Sequence, residues 1–469
     1  MSAPVETAGL LDSLERLVER AAAGDARRLV SATREIPSVD PCACAFASRR
    51  ADDRWFCWEE PDRDSFAIGA LGSAHEIVSR GNARVGDLVA DSSRVMRGRL
   101  ADEPDELPEG AGPLWVGGMS FASEAAGSGP WSSLPPALLT LPELILVRSG
   151  GRSLATACAL VGPGDDPQEV IRGVGTRLAA IREAALPPLD PHPGGPIAVA
   201  SARPPAAYEA AVAGAVERIR GGELEKLVLA REVRITAPAA HSPAALFGAL
   251  RQLFGACFCF CVGTPEAAFV GASPELLVRR SGSVAATVAL AGSARRSADP
   301  AVDDHLGEQL LHSPKDRVEH AIVARRIKSR LEPLSVWVEQ APDPVVIKVA
   351  NIQHLATPLQ AQLAEPRSVL DLAGTLHPTP AVGPEPRGPV GEAVIRELEG
   401  LDRGWYAGPV GWMDAAEDGE FCVALRSALL RDRTAHLYAG AGIVADSDPA
   451  AELAETEIKL AALLPLLAG

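Results

Sequence analysis

The sequence predicts an α+β chain whose strands pair antiparallel. Three observations predict it. Strand–turn–strand runs such as "WFCWEEPDRDSFAIGALG" join neighbouring strands directly. Helical and strand-like stretches alternate without a regular βαβ period, and no repeat of 20–50 residues is present. The 469 residues, 47% of them hydrophobic, suffice for one large core or two to three smaller ones.

Taken in order, residues 9–22 read as an amphipathic helix, and "RRLVSATREI" reads as a strand. Two short strands with a turn follow in "WFCWEEPDRDSFAIGALGSA", then a helix start, and a helix over about 82–103. "GPLWVGGMSF" and "LLTLPELILVRSGG" read as further strands, and 167–184 as a helix. "LPPLDPHPGGPIA", residues 186–198, is dense in Pro and Gly and marks a linker or crossover. It separates an N-terminal half, 1–190, from a second region, 200–469. The second region opens with a helix at 205–221, a strand at 226–236 and a helix at 243–253. Strands run to about 290, helices cover about 302–331, and 344–363 is extended. Two more helices, several strands and a terminal helix complete the chain.

Composition excludes whole classes of function. A formal net charge of −16 argues against non-specific nucleic-acid or anionic-membrane binding. A protein this acidic can still hold an anion, but only by building a local positive site. The N-terminus lacks a basic stretch ahead of its apolar residues, so it does not read as a signal peptide, and no apolar run reaches the ~18 residues of a membrane span. The expected compartment is the cytoplasm. Eight cysteines do not suggest a disulfide scaffold; Cys257, Cys259 and Cys261 alternate and read as small buried side chains on one strand face, without zinc spacing.

Several residues stand where chemistry can sit, each with a plainer reading beside it. In "GGELEKLVLAREVRI", Lys226 opens an apolar run and shares a face with Val228 and Ala230. An inward lysine is desolvated and can act as a neutral base; the alternative is a lysine at a strand edge. Glu275 in "GASPELLVRR" is either a carboxyl raised by an apolar sheet, able to act as an acid, or an exposed loop glutamate. In "HSPKDRVEHAIV", Ser313 can cap a helix with Pro314 at its first position, and Asp316 and Glu319 follow three residues apart. In "DSDPAAELAETEIKLAALL", Asp448 or Ser447 can cap, and Glu452 and Glu455 are again three apart, with Lys459 one turn on. That face is either solvated, with an i,i+4 ion pair, or a pair of carboxylates gathering a cation. Two such pairs meeting in space would offer oxygen-only ligation, which suits Mg²⁺. Gly440 and Gly442 in "YAGAGIV" allow close approach of backbone N–H groups to an anion. Arg426, read as lying inside a strand, needs a partner: a substrate carboxylate or an internal ion pair.

Ten motifs fall in one order: "KLVLARE", "GASPELL", "LAGSARR", "SPKDRVEHAIV", "QHLATPL", "LHPTPAVGP", "DRGWYAGPVGW", "VALRSA", "YAGAGIV" and "AELAETEIKL". Together, over about 205–465, they resemble the chorismate-utilising enzymes, which include isochorismate, salicylate, anthranilate and aminodeoxychorismate synthases. The N-terminal part is similar to the front half of menaquinone-type isochorismate synthases. The resemblance implies one large α/β unit of two stacked antiparallel sheets flanked by helices, to which both halves contribute. It implies that Lys226 is the base that activates water and Glu275 the acid that protonates the departing hydroxyl. It makes Glu319 and Glu455 the principal Mg²⁺ carboxylates, with Asp316 and Glu452 as secondary acids. Gly292 and Ser293 match a turn beside the substrate, and His354, Tyr406, Arg426, Gly440 and Lys459 match substrate-pocket positions.

The resemblance also selects a reaction. Anthranilate synthases lack the lysine base, and aminodeoxychorismate synthase carries a lysine where this chain has Ala291. Salicylate synthases tend to have a threonine near "TPAV", where this chain has Ala381-Val382, as isochorismate synthases do. The expectation is a Mg²⁺-dependent isomerase converting chorismate to isochorismate, without a glutamine amidotransferase subunit; the front-half similarity leans to menaquinone biosynthesis over siderophore or salicylate biosynthesis. The alternatives are a salicylate synthase, which goes on to eliminate pyruvate, and a non-catalytic chorismate-binding relative. Pro384 departs from the commoner glycine and is expected to stiffen its loop.

Overall fold

The computed structural model describes residues 3–468 apart from 6, 8, 125–128, 191–194 and 350–351. Two large sheets organise the chain. The first has twelve strands and includes Leu227–Thr236, Thr434–Ile443, Ser427–Arg431, Ala268–Ser273, Phe258–Gly263, Trp55–Glu60 and Phe66–Leu71. The second has ten and includes Ile352–Leu363, Val284–Arg295, Leu276–Ser281, Gly419–Val423, Pro409–Asp414 and Leu114–Met119. Pairing is antiparallel except between Arg28–Ile36 and Leu100–Asp102, which run parallel. The α+β expectation holds, and both sheets draw strands from each side of residue 190.

Apolar burial dictates the layering. One core lies between the sheets, where Phe66 from the first meets Trp412 from the second at 5.6 Å between ring centroids. A second core lies on the outer face of the larger sheet, under helices Leu10–Ala22, Pro41–Ser48 and Pro243–Leu253. All eight cysteines are free and buried, with Cys259 and Cys261 on one strand facing that second core, as their alternation predicts.

Most predicted elements form, with local differences. The helix start after "FAIGALGSA" is instead the strand His75–Ser79, paired with Ala137–Leu141. The helix of 82–103 is shorter, Arg84–Arg97, and the strand Arg152–Val161 went unrecognised. The stretch 302–331 is two helices, Pro300–His312 and Pro314–Leu331, because Ser313 ends one and caps the next. Of the linker 186–198 and the extended stretch 344–363, residues 191–194 and 350–351 lie outside the described residues. No helix among the described residues is long and apolar enough to cross a membrane.

Candidate active site

The chain passes between the two sheets at adjacent corners, and a functional side chain stands at each. Glu275 lies between Ala268–Ser273 of the first sheet and Leu276–Ser281 of the second. Arg426 lies between Gly419–Val423 of the second and Ser427–Arg431 of the first. The corners are tied to each other: Val423 N donates to Glu275 O at 3.0 Å, and Ala272 N donates to Arg426 O at 3.1 Å. Arg426 is therefore a corner residue and not part of a strand, and it turns the chain with φ 46°, a left-handed conformation uncommon for a side chain of its size. Such strain is retained where the surroundings fix it.

Lys226 immediately precedes Leu227–Thr236, and its side chain is wholly buried. Its backbone bridges to Glu385, which donates from N to Lys226 O at 2.8 Å. Its Nζ lies 2.9 Å from Oε1 of Glu319 on the helix Pro314–Leu331. That approach runs over Gly442, which pairs with Val228 in the neighbouring strand. A Cβ on Gly442 would stand 2.2 Å from Glu319 Oε1 and 3.1 Å from Lys226 Cε. Gly440 and Gly442 thus provide room for side chains within a continuous strand.

The two acidic helices start as their sequences predict. Ser313 Oγ accepts from Asp316 N, with Pro314 at the first position, and its hydroxyl bonds the Asp316 carboxylate. Asp448, not Ser447, caps Pro449–Leu460 by accepting from Ala451 N at 2.9 Å. Glu452 is only 1% exposed, so this face is not solvated. The i,i+4 pair exists nonetheless: Lys459 Nζ lies 2.7 Å from Glu455 Oε1, and it also donates to the Gly440 carbonyl at 2.8 Å. Ser293 Oγ donates to the same Glu455 oxygen at 2.9 Å. Gly292 and Ser293 do not form a turn. They form a bulge in Val284–Arg295, opposite His354, where Gly292 takes φ 77°.

Burial sets the electrostatics. It pushes the Glu275 carboxyl up to about 7, against the opposing pull of Arg426, Lys226 and Lys459. Burial likewise raises Glu452, helped by the charge on Glu455, and raises Asp316. For Glu455 burial works upward too, but Lys459 and Ser293 outweigh it and hold the carboxyl below its usual range. His354 is lowered to about 3 by burial, then by Arg426 and Lys459. Burial also lowers Arg426, whose Nε is buried without a hydrogen-bond partner among the described residues. Tyr406 is pushed up to about 12 by burial and stacks on Tyr438 at 5.3 Å. A Cβ on Gly440 would lie 3.4 Å from the Tyr406 hydroxyl, so this ring borders the same floor. Ala381 lies half-buried in the turn closed by Val382 N and Gly383 N donating to Thr379 O.

The acids suit a hard divalent cation. All four offer carboxylate oxygen, and the contacts of Glu319 and Glu455 described above fall on Oε1, which leaves Oε2 of each for a metal. They are more widely spread than a closed cage. Among the described residues, the three ligand-type side chains with donor atoms all within 4.8 Å of one another are Asp40, Cys42 and Glu59. A guanidinium already fills that trio: Arg251 Nη1 lies 2.6 Å from Asp40 and 3.1 Å from Glu59, while burial pushes the Cys42 thiol up. A wide set suits Mg²⁺, which keeps several waters.

Some participants had no signal in the sequence. Glu385 braces the Lys226 backbone, and Lys315 bonds Glu452. Pro384 is buried and packs against Gly391 of Pro389–Glu399, which accounts for its place in the loop.

The chain matches the chorismate binding enzyme family over residues 16–468. It is 35% identical over 464 residues to the salicylate biosynthesis isochorismate synthase of Pseudomonas aeruginosa, covering 98% of this chain and 94% of that one. It is 32% identical over 449 residues to isochorismate synthase MenF of Bacillus subtilis, covering 94% of each. The solved menaquinone-specific isochorismate synthase MenF of Escherichia coli superposes with a TM-score of 0.78 at 25% identity, over 98% of this chain and 99% of that one.

Proposed function

The chain belongs to the chorismate-binding enzymes, and from that premise we infer that it is an isochorismate synthase, an isomerase acting on chorismate. The observation that carries the reading is Glu275: a buried carboxyl raised to about 7 while facing the cations Arg426, Lys226 and Lys459.

Chorismate is a dianion whose C4 hydroxyl must leave as water adds at C2 and the double bond shifts. The two ends of that change need opposite proton chemistry. Glu275, protonated near neutral pH, gives its proton to the departing oxygen. Lys226, once it has given up its ammonium proton, takes a proton from the attacking water. Arg426, with His354 held behind it, would supply positive charge to one substrate carboxylate. Tyr406, Gly440 and Ala381 bound the ring, and the Gly292–Ser293 bulge brings Ser293 onto Glu455. Glu319 and Glu455 would hold Mg²⁺, with Asp316 and Glu452 behind them. The ion's contribution when bound is positive charge against the second carboxylate. That charge lets an acidic protein hold a dianion.

Water as the nucleophile calls for no ammonia source, so we expect the enzyme to work without an amidotransferase subunit. We place it in the cytoplasm. We assign its product to menaquinone biosynthesis, supported by the end-to-end match to the menaquinone-specific structure. The name of the Pseudomonas relative keeps a salicylate route as the second reading. Incubation with chorismate and Mg²⁺, with products resolved by chromatography, tests both. Isochorismate alone supports the first. Salicylate with pyruvate replaces it with the second, and tight binding without turnover removes both. Activity lost in EDTA and restored by Mg²⁺ supports the metal; full activity in the chelated enzyme refutes it.

A further inference from the structure

Each helix that carries the acids also carries a lysine turned onto them. Lys315 is the second residue of Pro314–Leu331, one before Asp316 and four before Glu319. Its Nζ donates to Oε1 of Glu452 across 2.7 Å. Glu455 is paired with Lys459 and Glu319 with Lys226, so three of the four carboxylates already face a lysine head.

The three lysines are not equivalent. Lys226 is sealed in the core. Lys459 is anchored twice, to Glu455 and to the Gly440 carbonyl. Lys315 has its hydrogen bond to Glu452, and its side chain is 37% exposed while that of Glu452 is 1% exposed. With more than a third of its side chain exposed, this ammonium has a route into water that the other two lack. A lysine head is a compact, strongly hydrated charge on a flexible stem, and its release recovers hydration. The carboxylate cannot follow it, and a buried carboxylate stripped of its counter-charge is costly. Release therefore requires another cation to arrive.

We propose that Lys315 is a displaceable counter-cation: it positions Glu452 and competes with the divalent ion for that carboxylate. This rests on the Mg²⁺ reading above. The metal affinity of the protein is then weaker than its carboxylates alone would give, and Lys315 sets the difference. Lys315 is a positioning residue here and touches no reacting atom.

The test is calorimetric titration of MgCl₂ into the full-length protein without substrate, at fixed ionic strength. Lys315→Met should tighten Mg²⁺ binding on the order of tenfold, the effect of removing one charge several ångströms from a divalent ion. Lys315→Arg should stay near wild type. In a Glu452→Gln background, the Met substitution should change the affinity much less, leaving only the through-space repulsion of the ion. Unchanged or weaker binding in Lys315→Met overturns the proposal, as does a gain that persists in full without the Glu452 carboxylate. A purely structural role would move the melting temperature but not this coupling. If Lys315→Met fails to fold, Lys315→Gln carries the same expectation. A wild-type protein that takes up no Mg²⁺ at millimolar metal would instead overturn the metal reading itself.

Discussion

Arg426 donates from Nη2 to Nε2 of His354 across 3.0 Å, while Nδ1 of the same ring meets the Gly292 carbonyl at 3.1 Å. An arginine can only donate and a carbonyl only accept, so His354 is the neutral tautomer with its hydrogen on Nδ1. The ring is a spacer between the bulge and the guanidinium. It orients Arg426 without competing for a substrate anion.

Nitrogen-15 spectra should show that tautomer and no titration of His354 between pH 8 and 5, because its folded pKa is lowered to about 3 by burial first, then by Arg426 and Lys459. The sign for stability follows. Between the ordinary value, near 6.5, and about 3, the unfolded chain takes up this proton and the folded chain does not, so stability falls as pH falls through that window. A His354 signal titrating near its ordinary value would refute the arrangement.

Glu275→Gln should remove the proton donor and cost ~10²–10⁴-fold in kcat. The same variant should gain stability above pH 7. With a folded pKa of about 7 against an ordinary 4.5, wild-type stability falls as pH rises from 4.5 through 7. Glutamine has no such cost, so the variant should exceed wild type by about 3 kcal/mol at pH 8 and lose that advantage below pH 4.5. Wild-type kcat should likewise decline above pH about 7. Denaturant melts at two pH values and a pH–rate profile check all three.

Lys226→Ala should abolish isochorismate formation. It should also destabilise the fold by ~3–5 kcal/mol, because Glu319 loses its counter-charge at the wall of a buried site. Adding Glu319→Gln should recover most of the stability and none of the activity. If the double variant is as unstable as the single one, the pair at 2.9 Å is not what matters there.

Gly442→Ala places a methyl where Glu319 Oε1 and Lys226 Cε now pass. Overpacking of this kind costs ~1–3 kcal/mol. The larger loss should be in kcat, about 100-fold or more, since a base moved by an ångström is misaligned. Wild-type turnover in a folded Gly442→Ala protein would show that the strand yields and the base does not depend on that gap.

Much of this site is legible in the sequence for a local reason. A capping residue, a proline and acids three apart announce a helix start and one acidic side, and both helices begin where those signals stand. For the lysine opening an apolar run, the sequence left an inward-facing side chain and a strand edge both open, and its complete burial decides for the first. What the helices face was not legible, since Glu455 meets Ser293 across 162 residues. The corner positions of Glu275 and Arg426 were hidden for the same reason: Ser273 and Val423, which hold that corner, are 150 residues apart in the chain. Lys315 was missed because one lysine on a charged helix carries no mark distinguishing it from a solvated neighbour. His75–Ser79 was misread because its partner strand lies some sixty residues away, and short strands declare themselves only through their partners.

The sheet order has a practical consequence for anyone trimming the gene. Phe258–Gly263 is hydrogen-bonded along one side to Trp55–Glu60, and Pro409–Asp414 to Leu114–Met119. A shortened protein beginning near residue 200 would keep every proposed reacting group, yet it would open both sheets in the middle. Two apolar, unpaired strand edges would then face water, ready to zip onto other chains. Such a fragment should be recovered as aggregate, and co-expressing residues 1–190 as a separate polypeptide should rescue it.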